Sequence, residues 1–299
     1  MENAQMPSHR SNNRSGYLFA LPAFIFLIAF VAYPLLSSFW LSLTNYNLIW
    51  SNTTHFVGFQ NYSRALGDPT FRTALFNTFI YTLFHVPITV ALSMILASLI
   101  HAAGRFGRIC QTLLFIPVLI PEAMGAVIFI WIFSERFGLL NNLITMIIGQ
   151  PFFINWLGEP GWALAAIILT SYWGIGISVV LFTAGLGNIP KSYYEAAAID
   201  GAGIFDQFRH ITLPSLKHTT TVVFILSLIG SLKVFALPKV MTDGGPGIAT
   251  LTLYHWVFKN AFEYFDMGYA AAMAFILGLI IILISVPRLI WSNKEDISS

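Results

Sequence analysis

An all-α, polytopic membrane protein is the fold predicted by three observations on this 299-residue chain. Mean hydropathy is +0.73. Residues are 57% hydrophobic and only 9% charged, where a soluble domain carries roughly 25% charged residues. So much apolar side chain exceeds what a water-facing particle of this size can bury. Finally, the apolar residues gather into six stretches, each able to cross about 30 Å of hydrocarbon as a helix of roughly 20 residues, which satisfies its own backbone polar groups. None alternates like a barrel strand, and the run 276–284 is apolar on every helical face.

Taken in order, the first span, 17–42, follows Arg10 and Arg14. It runs past the length of a signal-peptide core without a small-residue cleavage site, and reads as an anchor. An outer segment, 43–74, leads to the second span, 75–100, and a short inner segment near 101–109 leads to the third, 110–134. Pro117 and Pro121 interrupt that third helix. Beyond the outer segment 135–160 comes the fourth span, 161–186, where Gly174 and Gly176 read as close-packing sites between helices. The fifth span is 219–238 and the sixth 267–291. The outer segments, including 239–266, read as short loops of Asn, Gly and Pro with scattered aromatics. In the last of them Asp243-Gly244-Gly245-Pro246 has the chemistry of a tight turn. The chain therefore reads as one membrane domain, 17–291, between short tails, 1–16 and 292–299.

Orientation follows from Lys and Arg, which resist translocation. With the N-terminus inside, the inner segments and helix ends hold Arg10, Arg14, Arg105, Arg108, Lys191, Arg209, Lys217, Arg288 and Lys294. The outer segments hold Arg64, Arg72, Arg136, Lys239 and Lys259. Both termini are expected on the cytoplasmic side. A net charge of +2 predicts no nucleic-acid groove, and the single cysteine, Cys110, excludes an intrachain disulfide and a multi-cysteine metal site.

The inner segment 187–218 is patterned like structure. Ser192 followed by Glu195 fits a capping box for a helix from Tyr193 to Asp200; alternatively Pro190 occupies the first turn with Asn188 as cap. Gly201 fits the left-handed stop. A second helix begins near Ile204 and is expected to end before Pro214, whose ring and missing N–H break the ladder. The small Ala196, Ala197 and Ala198 permit close approach of another backbone. Either this hairpin docks a protein or it rests on lipid headgroups.

Two charges fall inside spans. Glu122 and Lys233 lie roughly 18 and 21 Å from the inner ends of their spans at 1.5 Å per residue. They are candidates to pair across the bundle and line a cavity. Glu122 also fits a second role, neutralising the N-terminus of a helix restarted after Pro121. Tyr81, Trp131, Tyr172, Trp173 and Phe235 are aromatic residues in or near spans, where packing or an interfacial belt suits each better than stacking on a cargo. His85 reads as a hydrogen-bonded packing residue. No Gly-x4-Gly-Lys-Ser/Thr, no His-Glu-x-x-His and no nucleophilic constellation occurs. The chain is expected to be non-catalytic, with no metal site.

Glu195-Ala196-Ala197, three residues, Gly201, nine residues, then Ile211-Thr212-Leu213-Pro214 matches EAA-x3-G-x9-I-x-L-P without a mismatch. It resembles the signature loop of bacterial ABC importer permeases. The segment 56–62, Asn77-Thr78, Trp131 with Gly138 and Asn141, and Thr242-Asp243-Gly244-Gly245-Pro246 resemble elements of the carbohydrate-uptake branch, of maltose- and glycerol-phosphate-transporter type. The resemblance implies a six-span permease that pairs with a second permease, two cytoplasmic ATPase subunits and an extracytoplasmic solute-binding protein. It implies that ATP and Mg belong to the ATPases, and that Glu195, Ala196, Ala197, Gly201, Ile211, Leu213 and Pro214 couple them to the spans. Asp243, Gly244, Gly245 and Pro246 would stand at the outer mouth. Glu122, Tyr172, Trp173, Lys233 and Phe235 are the candidate path residues. The expected cargo is a mono- or oligosaccharide; a sugar phosphate would ask for more basic residues than Lys233 alone. An ion-coupled secondary transporter is the rival reading, opposed by the scarcity of buried carboxylates.

Overall fold

The computed structural model describes residues 13–50 and 54–297. Arg10 with most of the N-terminal tail, and the last two residues of the C-terminal tail, lie outside them. Among the described residues every element is helical, and the one extended pairing is a bridge between Thr44 and Phe56.

The first span is α1 (Asn13–Leu27), a π-helical turn (Ile28–Ala32) and α2 (Tyr33–Ser42). The π turn precedes Pro34 for a reason. An α-helix would press the proline ring onto the carbonyl four residues back. The wider turn, closed by the Tyr33 N–H on the Ile28 oxygen, relieves that clash. Among the described residues this span packs on the rest chiefly through α2, with Phe39 edge-on to Phe275 at 5.3 Å. Phe19 is 88% exposed, which costs nothing where lipid is as apolar as the side chain.

After α3 (Gln60–Gly67) comes α4 (Pro69–Ala102), whose 34 residues make it the longest helix. Its N-terminus is capped by Asp68 Oδ1, which accepts the Thr70 N–H at 2.8 Å. At the other end Gly104, with φ +56°, turns the chain at once into α5 (Gly104–Phe115). The inner segment near 101–109 is therefore helix on both sides of a tight turn.

The third, fourth and fifth spans are broken. Past α5, a 3₁₀ turn (Ile116–Leu119) and Pro121 bend the chain by 99° into α6 (Glu122–Ile132). After α7 (Leu139–Ile148), α8 (Pro160–Ser171) meets α9 (Gly176–Gly187) at 47° across a 3₁₀ turn (Tyr172–Gly174). The inner elbow then runs through α10 (Lys191–Ile199), α11 (Ile204–Gln207), a π turn (Phe208–Thr212) and α12 (Leu213–Ser215). It enters α13 (Lys217–Leu232) at 67°. Beyond α14 (Ala236–Thr242) and α15 (Leu253–Phe258) lies a π turn (Lys259–Glu263), and α16 (Met267–Ile297) closes the fold. Three helical runs, Phe19–Ser42, Pro69–Ala102 and Met267–Ile290, are long and apolar enough to span alone; the three bent pairs bring the number to six.

Four expectations need correction. The fifth span is not one helix over 219–238: α13 stops at Leu232 and α14 restarts at Ala236, placing Pro238 in a first turn where its missing N–H costs no bond. The Val234 carbonyl freed at the break accepts the Thr252 hydroxyl at 2.8 Å. The helix from Ile204 does not end before Pro214. The π turn, closed by the Leu213 N–H on the Phe208 oxygen, makes room for the ring and α12 continues to Ser215. Third, neither proposed cap of α10 forms, because Pro190 is itself the N-cap residue and no side chain caps the helix. Lastly, the outer segments are not merely loops; they hold α3, α7, α15 and the end of α14, and at the other end α16 runs on past 291 to Ile297.

Packing divides into three buried clusters. One, around Tyr81, Phe133, Trp156 and Leu237, joins α4, α6, α8 and α14. A second, around Phe71, Leu228, Leu253 and Met273, joins α4, α13, α15 and α16. The third, around Met94, Phe182, Leu216 and Val223, joins α4, α9 and α13 beside the elbow. Gly176 lets α9 meet α5: a Cβ there would overlap the Leu114 carbonyl oxygen. Gly174, expected to do the same, has open space around it and borders a cavity instead.

Candidate functional site

The three broken spans converge. A cavity of about 650 Å³ lies where the α5–α6, α8–α9 and α13–α14 breaks face one another, closed on one side by α4. Its wall includes Pro117–Glu122 from the first break, Ser171, Trp173 and Gly174 from the second, and Ser231, Lys233 and Val234 from the third. Non-helical backbone at membrane depth is tolerated where it lines a cavity rather than lipid. Tyr81 and His85 of α4 complete the wall.

Of the five path candidates, Glu122, Trp173 and Lys233 line this cavity. Glu122 is the first residue of α6, so its carboxylate also faces the positive end of that helix. Lys233 caps the last turn of α13. No ion pair joins the two among the described residues. Tyr172 stands just behind the wall, stacked on His85 with ring centres 5.7 Å apart and donating its hydroxyl to the Phe84 carbonyl at 3.1 Å. Phe235 is not among the lining residues: it packs against Phe258 at 4.8 Å and Tyr254 at 5.9 Å, outward of the break. Trp131 is 62% exposed on the outside of α6. His85 is hydrogen-bonded, its Nδ1 lying 2.7 Å from Ser171 Oγ, and stacks on Tyr81. It lines the cavity as well, which its sequence context did not disclose.

At the elbow, Gly201 has φ +81°. The Gly201 N–H bonds the Ala198 carbonyl at 3.1 Å and the Ala202 N–H bonds that of Ala197 at 2.9 Å, the two bonds of a Schellman stop. Glu195 and Ala196 are exposed, Ala197 and Ile211 half-buried, Leu213 and Pro214 exposed. Ile199 and Ile204, flanking the turn, are 88% and 89% exposed. Two residues not singled out by sequence tie the elbow to the spans. Tyr194 Oη and Thr212 Oγ1 are 2.9 Å apart, linking α10 to the π turn, and the fully buried Leu216 enters the third cluster. Nothing in the sequence separates Tyr194 from the exposed Tyr193 beside it.

The turn after α14 is built as its composition demands: Asp243 and Gly244 have φ of +48° and +86°. Lys239 Nζ bonds Asp243 Oδ1 at 2.8 Å and Glu263 Oε1 at 2.7 Å. Its hydrogen bonds to both acids raise the Lys239 pKa. Asp243, bonded by Lys239 and sensing Lys259, is held below the usual carboxylate range despite some desolvation. His255 is wholly buried beneath this cluster, and burial, then the Lys259 and Lys239 charges, lower its pKa to about 4. It is neutral near pH 7, so its 3.4 Å approach to Asp243 is no ion pair there.

Three asparagines within the resembling stretches share one task. Asn61 donates to the Ser42 and Thr44 carbonyls, Asn77 to those of Ile248 and Leu251, and Asn141 to those of Glu135 and Ile154. Each carboxamide bridges two carbonyls, all in outer segments except that of Ser42, the last residue of the first span. Thr78 adds to the second bridge by accepting the Leu253 N–H at 2.8 Å.

Comparison with known proteins agrees with this architecture. The family model described as "Binding-protein-dependent transport system inner membrane component" matches residues 71–292. The arabinooligosaccharides transport system permease protein AraP of Bacillus subtilis is 35% identical over 283 residues, spanning 93% of this chain and 88% of that one. The lactose transport system permease protein LacF of Rhizobium radiobacter is 33% identical, spanning 91% of each chain. Among solved structures, a bacterial alginate ABC transporter in complex with an alginate pentasaccharide-bound periplasmic protein aligns with a TM-score of 0.81 at 19% identity, covering 94% of this chain and 95% of that one. At that identity the likeness concerns the fold. With the family match spanning most of the chain, this protein belongs to the binding-protein-dependent transport system inner membrane components, the permease subunits of ABC transporters.

Proposed function

We propose that the chain forms one half of the path by which an ATP-driven importer takes up a neutral mono- or oligosaccharide. A second permease supplies the other half, and an extracytoplasmic solute-binding protein delivers the cargo. The observation that supports this most is the cavity at the three breaks. It offers one carboxylate, one ammonium, hydroxyls and an indole face, the mixture that sugar hydroxyls and C–H faces bind. The relatives named for arabinooligosaccharide and lactose transport favour the same class. One lysine in the wall is too few for a phosphorylated cargo.

The chain carries no phosphate-cradling loop, so ATP and Mg are held by two cytoplasmic ATPase subunits. In this reading Glu195, Ala196 and Ala197 seat α10 on an ATPase, and Gly201 holds the turn. Ile211, Leu213 and Pro214 direct the return into α13. Nucleotide-driven closure moves α10, and the Tyr194–Thr212 contact and Leu216 carry that motion to the inner ends of α4, α9 and α13. The exposed Ile199 and Ile204 then become buried at the interface. Asp243–Pro246 face the binding protein, and both termini are cytoplasmic.

The test is uptake of labelled sugars by vesicles holding the complete assembly. Uptake should follow ATP, survive collapse of ion gradients, and fall in Trp173→Ala with KM rising. Uptake that follows an ion gradient and ignores ATP refutes the reading in favour of secondary transport.

A further inference from the structure

A second cavity, about 400 Å³, lies between the inner ends of α4, α5 and α9. His101, Arg105, Arg108, Gln111 and Thr183 supply its polar wall and no acid lines it. Arg105 and Arg108 are three residues apart, so they share one face of α5. Among the described residues neither guanidinium has an ion-pair partner. The N-terminus of α5 meets the C-terminus of α4 at Ala103, so the two helix ends oppose each other and the positive field rests on the guanidinium pair. His101 also borders the pocket beside Tyr194 and Phe208, which places the cavity on the elbow side of the protein. Phe106 and Ile109, alternating with the arginines, are exposed apolar side chains. A guanidinium pair at the edge of an apolar, lipid-facing belt matches a phosphate joined to acyl chains better than a free anion in water.

We propose that this pocket binds the phosphate of an anionic phospholipid headgroup from the inner leaflet. Arg105 and Arg108 clamp the phosphate oxygens, while Gln111 and Thr183 meet the ester and glycerol oxygens one to two turns deeper. The assignment to the inner leaflet rests on the reading that the elbow is cytoplasmic. Binding itself does not, and it is measured on the full chain in micelles without ATPase or binding protein. Failure here therefore leaves the coupling account standing, and the reverse.

The experiment is native mass spectrometry of the full chain in detergent, titrated with phosphatidylglycerol, phosphatidylcholine or inorganic phosphate. Wild-type protein should retain phosphatidylglycerol over phosphatidylcholine. The double variant Arg105→Gln/Arg108→Gln should lose that retention about thirty-fold, from the two surface cations removed. Arg136→Gln, at the opposite end of the spans, should match wild type. Arg105→Lys/Arg108→Lys should keep part of the retention, since charge persists without the bidentate fork. No preference for phosphatidylglycerol in the wild-type protein overturns the proposal without need of any variant. Equal retention by the glutamine double variant overturns it too. Arginine-dependent binding of inorganic phosphate with no lipid preference assigns the pocket to a soluble anion and refutes the lipid.

Discussion

Replacing Asn77 by alanine isolates the bond pair that holds the 243–252 turn to α4. Asn77 is 7% exposed, and its amide donates to the Ile248 carbonyl at 2.9 Å and the Leu251 carbonyl at 3.0 Å. Stranding a buried acceptor costs about 1–3 kcal/mol. The Leu251 contact is fully buried and takes the upper part of that range; Ile248 is partly exposed and water can replace the amide there. Together they come to about 3 kcal/mol, or roughly two orders of magnitude in a local opening equilibrium. Hydrogen exchange on the full chain in micelles reads this directly. The amides of Thr250 and Leu251, bonded to the Gly244 and Ile248 carbonyls, should lose about a hundred-fold of protection. Those of Val179 and Val223 in the inner cluster should not change. A loss under ten-fold, or an equal loss in the inner cluster, shows that Asn77 is not a local anchor of this turn.

Gly176→Ala drives a Cβ into the Leu114 carbonyl and to 3.0 Å from Val118, so α5 and α9 must part. Thermal melting should show a destabilisation of about 1–3 kcal/mol, whereas Gly174→Ala, with open space around it, should melt like wild type. His255 titrates near 4 when folded against about 6.5 unfolded, so the unfolded chain binds more protons between those values. Stability is complete above pH 6.5 and falls by about 3 kcal/mol as pH drops to 4. Melts from pH 7 to 4 should flatten in that window for His255→Gln, and an unchanged slope would exclude His255 as the source. Asp243 acts lower: its stabilisation persists above the ordinary carboxylate pKa and is lost as pH falls through its depressed value.

How far the fold could be read from sequence depended on whether the cause was local. Hydropathy located all six spans, and Gly201 ended α10 in a left-handed turn because its position relative to the alanines is a short-range constraint. The first of the three breaks, in the third span, was signalled by Pro117 and Pro121. The break at Lys233–Phe235 had its signal in Pro238, which cannot bond the Val234 carbonyl, but that proline fell at the expected end of the fifth span; Thr252, eighteen positions beyond Val234, accommodates the freed carbonyl. The helix through Pro214 shows the reverse error, a real proline penalty relieved by a π turn that no residue pattern announces. Phe235 was a path candidate as an aromatic within a span, yet the break leaves it packed on Phe258 and Tyr254. Glu122, Trp173 and Lys233 reach one cavity because each sits at or beside a different break. The asparagines were visible only as parts of a resemblance, and their bridging role needed the folded partners.

The central claim is that motion enters the spans from a nucleotide-driven partner through the 191–216 elbow. A photocross-linking residue at Ala196, exposed on α10, tests it in the complete, transporting assembly. The account predicts adducts with the ATPase whose yield changes between nucleotide-free and ATP-bound states. Adducts with phospholipid alone, while ATP still drives uptake, would contradict it.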